Sequence, residues 1–316
     1  MRVALVGAGT MGSFHARVVN ASARTDLAFV VESREETGRA VAERYGATWV
    51  PTLDDIGDVD AVVVAASTEA HRDLATAVLE RRLPLLVEKP LVDDYAQAAE
   101  LVRLSRANDT PLLCGFLERF NPAVLTAQHL IEQPLHVTAT RHSPYAPRIR
   151  TGVAWDLLIH DVDLAINVLR QEPQYASGTV GYFHPSSAPG AEDVASATLT
   201  FADGQLAQLS ASRIGQRKER TVTIHELDKL VELDLLRRTV TVYRHVTSDT
   251  AEPDGRGYRQ QTTIEIPEIT QAQEPLAAQW DHFVDLVEGT ADAESERTWM
   301  LPAHAAIASV LQPLSV

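Results

Sequence analysis

A chain of 316 residues has room for two domains, each large enough to bury its own core. With 45% hydrophobic and 22% charged residues it is neither disordered nor fibrous. A formal net charge of -15 excludes nucleic acid and anionic membrane surfaces as expected partners; an anionic substrate would need a local arginine cluster, for which 141–150 and 213–220 are the candidates. Cys114 is the only cysteine, which rules out an intramolecular disulfide and an all-cysteine metal site, and no metal is expected. The N-terminus lacks the pattern of a signal peptide, and no apolar run reaches the roughly 18–20 residues that span a bilayer. The expectation is a cytoplasmic protein.

The first half alternates apolar runs with amphipathic segments. Residues 2–6 predict a buried strand, followed by a glycine motif at 7–12 and a helix through Phe14, Val18 and Val19. Strands follow at 27–31, 59–65, 84–88 and 111–116, with helices at 34–44, 71–82 and 93–108 between them. Strands without polar alternation, separated by helices, predict a doubly wound parallel sheet covered on both faces. This domain is expected to span 1–118.

The second half, 119–316, reads as an α+β domain. Helices are predicted at 122–132 and 155–170, and alternating strands at 134–140, 176–183, 192–200, 205–213, 219–226, 229–235, 238–246 and 261–266. Asp203-Gly204 marks a hairpin turn. The polar stretch 247–260 reads as a loop, and helices close the chain at 273–289 and about 302–311. Strands in series predict a large, mostly antiparallel sheet with helices on one face.

The first strand runs into Gly7-Ala8-Gly9-Thr10-Met11-Gly12, a G-x-G-x-x-G motif between strand and helix. Gly7 permits the turn, Gly9 leaves room for a pyrophosphate, and Gly12 lets the helix approach the sheet. Gly7, Gly9, Thr10, Met11 and Gly12 are therefore expected at a dinucleotide, whose phosphates meet unpaired N–H groups. Glu32 ends the second strand, 20 residues after Gly12, where a carboxylate bonds the ribose hydroxyls of NAD and repels the extra phosphate of NADP. Ser33 and Arg34 beside it keep NADP open as the alternative. Ser67 and Thr68 follow a third strand and either line the cofactor crevice or cap the next helix. His71 is placed at that helix start and counted with the cofactor residues.

Glu88-Lys89-Pro90 ends another strand at the same crevice edge, with Glu88 and Lys89 counted near the cofactor. A lysine ending an apolar strand is costly unless its ammonium reaches water or a partner. In Trp155 to Asp163, Asp156 and His160 are four apart and share a helix face, with Asp163 and Asn167 continuing the line. The residues alone leave three readings: a site wall, a solvated polar face, or part of a zinc site that lacks further ligands. Alcohol oxidation joins the parts: a cofactor takes the hydride, a neutral histidine takes the proton, and a lysine stabilises developing negative charge.

The glycine motif, the Glu-Lys-Pro triplet and the Asp-x-x-x-His helix together resemble the glucose-fructose oxidoreductase and inositol dehydrogenase family over essentially the whole chain. The resemblance implies a Rossmann domain and an α+β domain whose open sheet forms a homodimer or homotetramer interface. It implies Lys89, Asp156 and His160 as the catalytic set, with a cis bond to Pro90 frequent in the family. His160 is then the general base and Lys89 polarises the oxygen. Gly115 to Pro122, Ser143 to Arg148, and Arg213 with Arg220 resemble members that oxidise nucleotide sugars at C3. On that resemblance Arg148 pairs with a diphosphate or a sugar hydroxyl. Arg119 is a substrate-site or bracing residue, and Trp155 borders the sugar. The alternatives are a dehydrogenase of a free sugar or polyol such as inositol, and a dinucleotide-binding regulatory protein without activity.

Overall fold

The computed structural model describes residues 1–250, 257–269 and 273–312, and it divides into two compact units. The first holds Met1–Leu117 and Glu274–Ala308; the second holds Glu118–Gln273 and the residues from Ser309 onward.

The first unit begins β1 (Arg2–Val6), α1 (Thr10–Ala21), β2 (Asp26–Val31), α2 (Glu35–Tyr45), β3 (Thr48–Val50), β4 (Ala61–Val64), α3 (Thr68–Glu80), β5 (Leu85–Val87), α4 (Tyr95–Ala107) and β6 (Leu112–Cys114). The strands form one sheet in the order β3-β2-β1-β4-β5-β6, parallel throughout. Every side chain of β4, β5 and β6 is buried, which requires helices over both faces. The strand order reverses between β1 and β4, and crevices for ligands form where an order reverses, beyond the carboxyl ends of the strands. The predicted doubly wound sheet is present. Strand β3 escaped the sequence reading because three residues are too few to show a period.

The second unit is built from α5 (Pro122–Gln128), β7 (His136–His142), α6 (Ile159–Leu169), β8 (Tyr175–Gly181), β9 (Val194–Thr200), β10 (Leu206–Ser212), β11 (Glu219–His225), β12 (Leu230–Asp234), β13 (Thr239–Thr250) and β14 (Gly257–Glu265). Its sheet has the order β14-β13-β12-β11-β7-β10-β9-β8, antiparallel except for the β7–β10 pair. Along β7 and β9 alternate residues are buried, so the sheet buries one face. Helix α6 packs against β7 and β10. The β9–β10 hairpin turns at Asp203 and Gly204, both left-handed (φ 63° and 79°), as the Asp-Gly pair predicts. The stretch expected as a loop at 247–260 is strand up to Thr250 and again from Gly257; residues 251–256 lie outside the described ones. Its polar composition hid the pairing, because without apolar alternation a paired strand reads like a loop.

Two helices complete the described chain, α7 (Pro275–Val287) and α8 (Ala293–Val310). Here the structure departs from the expected single domain over 119–316. Leu276, Trp280, Phe283 and Val284 of α7 join Val3, Leu5 and Val19 in the core of the first unit. Trp280 also donates from Nε1 to Thr25 Oγ1 at 3.3 Å. Helix α8 starts nine residues earlier than predicted, running through Pro302. No helix among the described residues is long and apolar enough to cross a membrane.

Candidate active site

The glycine turn has the geometry its sequence requires. Gly7 adopts φ 94°, and a Cβ there would lie 2.7 Å from Ala66 N. A Cβ at Gly12 would overlap Gly7 O, whereas one at Gly9 would meet nothing within 4 Å. Gly9 therefore faces open space at the start of α1, where no side chain caps the first N–H groups. Thr10 is exposed and Met11 half-buried beside it. These features fit a dinucleotide pyrophosphate.

Glu32 reaches the same turn. Its Oε2 accepts Ala8 N–H at 3.0 Å, and Oε1 accepts Arg34 N–H and Nε–H at 3.1 and 3.0 Å. Burial pushes its carboxyl up, but the Arg34 side chain and the Ala8 and Arg34 N–H bonds outweigh it and hold it below the usual range. Ser33 Oγ lies 3.5 Å from Oε1. Trp49 donates from Nε1 to the Glu32 carbonyl at 2.9 Å, a brace the sequence reading missed.

Ser67 occupies the N-cap of α3, yet its side chain makes no capping bond and is exposed. Thr68 is half-buried in the first turn. Two expected cofactor contacts need correction. His71 is 1% exposed and its ring nitrogens face Pro90 O at 2.9 Å and Ala66 O at 3.2 Å. Glu88 is buried with Oε1 2.7 Å from His15 Nε2, while Oε2 accepts Lys89 N–H at 3.2 Å. Both side chains turn inward and tie the crevice turns together. Burial raises the Glu88 carboxyl, but His15, Lys89 charge and the Lys89 N–H bring it below the ordinary range. Lys89 is half-buried, and its bond to Pro90 is cis.

In the second unit, Ala154–Leu158 form a π-helical turn that continues into α6, with Ile159 N–H bonded to Ala154 O. Such turns widen a helix locally and recur at functional sites. Asp156 lies in this turn and His160 just after it, both half-buried. Glu192 Oε1 accepts the Ala154 N–H at 2.6 Å, fixing the start of the turn. Its carboxyl is pushed up by burial, only partly offset by the Ala154 bond.

The four-residue polar line of the sequence reading divides here. Asp163 is buried and takes a forked ion pair from Arg119, Nη2 to Oδ1 at 2.6 Å and Nε to Oδ2 at 2.9 Å. Asn167 donates to Asp163 O at 2.8 Å. Arg119 thus directs its Nε and Nη2 donors to Asp163 within the second unit, and Trp155 is 7% exposed. Arg148 is exposed.

A charged cluster underlies the turn. Arg141, 2% exposed, forks onto Asp161 and donates from Nη1 to Glu118 Oε1 at 2.8 Å. Arg220 Nη1 reaches the same Glu118 oxygen at 3.3 Å. Burial raises the Glu118 carboxyl, but the Arg141 charge and bond, with Arg220 and Asn121, bring it down. At Asp161 burial prevails over Arg141 and the carboxyl is pushed up. Arg220 is held below the usual arginine range by burial and then by Arg141, against the pull of Glu118, Asp161 and Asp156. Among the described residues no group of three or more His, Cys, Asp or Glu could hold a metal ion.

Residues 1–116 match the oxidoreductase family model for an NAD-binding Rossmann fold, and 124–226 match the GFO/IDH/MocA C-terminal domain. The chain belongs to the GFO/IDH/MocA oxidoreductase family. It is 29% identical over 246 residues to UDP-N-acetylglucosamine 3-dehydrogenase of Acidithiobacillus ferrooxidans, covering 77% of each chain. It is also 29% identical over 228 residues to inositol 2-dehydrogenase of Rhizobium meliloti, covering 67% of this chain and 69% of that one. The solved structure of the Acidithiobacillus enzyme superposes with a TM-score of 0.83 at 25% identity, covering 98% of this chain and 97% of that chain. Membership in this family makes residues 1–116 an NAD-binding Rossmann fold of an oxidoreductase.

Proposed function

We propose that this GFO/IDH/MocA protein is an NAD-dependent dehydrogenase of a nucleotide sugar, acting on a ring hydroxyl as UDP-N-acetylglucosamine 3-dehydrogenase does. The observation that carries this reading is the similarity to that enzyme in both sequence and fold over both units. When bound, the nicotinamide supplies the hydride acceptor. In this reading His160 takes the hydroxyl proton as the carbon is oxidised to a carbonyl. Lys89 donates to the oxygen and stabilises its developing negative charge, and Asp156 orients the hydroxyl. Arg148 takes the substrate diphosphate. Glu32, kept ionised by Arg34 and Ala8, favours NAD over NADP because a 2′-phosphate would meet its charge.

The open face of the second sheet, where His136, Thr138 and Thr140 of β7 are only half-buried, is the proposed homodimer or homotetramer surface. The test of function is reduction of NAD, followed by absorbance, against UDP-N-acetylglucosamine, other UDP-hexoses, free hexoses and myo-inositol. Turnover with a UDP-sugar supports the reading. Turnover with free sugar or inositol alone moves the substrate to the polyol class, which the similarity to inositol 2-dehydrogenase favours. Cofactor binding without turnover on any of them counts against it.

A further inference from the structure

Three buried histidines, from three different helices, converge on the four-residue turn Glu88–Leu91. His15 of α1 meets Glu88 Oε1 at 2.7 Å. His71 of α3 faces Pro90 O at 2.9 Å. His304 of α8 accepts Leu91 N–H on Nε2 at 3.1 Å, while its Nδ1 donates to Met300 O at 2.8 Å. All three are at most 1% exposed. Burying an imidazole in a core costs free energy unless its polar atoms are used, and aliphatic side chains fill the same space without that cost. Three such side chains, aimed at the one turn between β5 and α4, tie it to three helices. The Glu88 carboxylate adds a fourth tie, to the backbone N–H of Lys89 itself.

We infer that His15, His71 and His304 are positioning residues that hold Lys89 in its working geometry. This rests on the reading of Lys89 as the group that polarises the substrate oxygen. A displacement of about 1 Å at such a group costs on the order of 10²-fold in rate. His15 acts through Glu88, His71 through the Pro90 carbonyl, and His304 through the Leu91 N–H, so the turn is gripped at both ends. The other ring nitrogen of His71 lies 3.2 Å from Ala66 O, beside the Ser67 crevice turn.

The chain has only three lysines, Lys89, Lys218 and Lys229, so [13C]dimethyl-lysine NMR reads Lys89 directly. The variants are His15→Leu and His304→Leu, each paired with the glutamine substitution that keeps a hydrogen-bonding group near the Nε2 position. The leucine variants are expected to move the Lys89 signal towards that of exposed Lys218 and to lower kcat with UDP-N-acetylglucosamine about tenfold or more, with KM for NAD within about twofold. The glutamine variants are expected to restore both. Folded leucine variants with an unmoved Lys89 signal and unchanged kcat would overturn the inference, as would losses that glutamine does not repair. Nitrogen-15 ring shifts of the wild-type protein give a second arm should the variants not fold: a proton on Nε2 of His304 would also overturn it. If Lys89→Met keeps full turnover, the role of Lys89 fails, while the NMR response still judges the brace.

Discussion

Lys89 and His160 carry the proposed chemistry on side chains that are half-buried, each held by a different local device. Lys89 sits on a turn gripped by buried histidines, and His160 follows a π-helical turn that Glu192 clips. Replacing either with alanine is expected to lower turnover about 10²-fold or more. Cofactor affinity, measured by NADH fluorescence titration, is expected to change little. Glu32 predicts cofactor choice: Glu32→Ser removes the charge that meets a 2′-phosphate and is expected to shift the NAD-to-NADP ratio of kcat/KM about tenfold towards NADP. Steady-state rates with both cofactors check it. At this scale the sequence offered the glycines, Glu32, Lys89 and the Asp156–His160 pair as candidates. It did not show His15, because a histidine on an amphipathic helix gives no sign of what it meets. Arg141 was legible in principle: Val137 and Ala139 mark the inward parity of β7, and Arg141 falls on it.

Among the elements, the π-helical turn before α6 depends on a close approach. A Cβ on Gly152 would collide with the Glu192 carboxylate that accepts the Ala154 N–H. Gly152→Ala is therefore expected to destabilise the protein by about 1–3 kcal/mol and to lower kcat as the turn shifts. Urea unfolding and kinetics on the same preparation check both. The helical spacing over 155–170 predicted a helix but not its wider first turn, since the same residues satisfy either hydrogen-bond pattern and the outside clip decides. The β13–β14 strands past residue 246 were missed for a related reason. The backbones pair there, but the polar sequence carries no apolar period to announce it.

For the whole molecule, buried ionic groups set the response to acid. Glu118, Glu88 and Glu32 have carboxyls held below their ordinary range, so the stability they contribute is present above the unfolded value and is lost as pH falls through the folded one. Asp161 and Glu192 are raised by burial, and their contribution has the opposite sign, lost as pH rises through their folded values. Unfolding free energy is expected to fall as pH drops below about 4.3, the ordinary glutamate value. Glu118→Gln is expected to flatten that fall and to cost about 3–5 kcal/mol at neutral pH, because Arg141 and Arg220 lose a shared partner. Denaturation by urea across pH 3–7, about the span in which carboxylates titrate, measures both effects.

Two kinds of information built this protein. The sequence by itself determined the elements of the parallel sheet except β3, the glycine turn and the alternation of the second sheet, because each is a property of residues near in the chain. It also carried the family resemblance, through short motifs whose spacing is local. Only the tertiary structure decided that 274–308 return to the first unit, that Arg119 is taken by Asp163, and that His71 and Glu88 face inward. The apolar stripe of α7 states that it must be buried but not against what. Likewise a polar side chain states that it needs a partner, and only long-range packing supplies one.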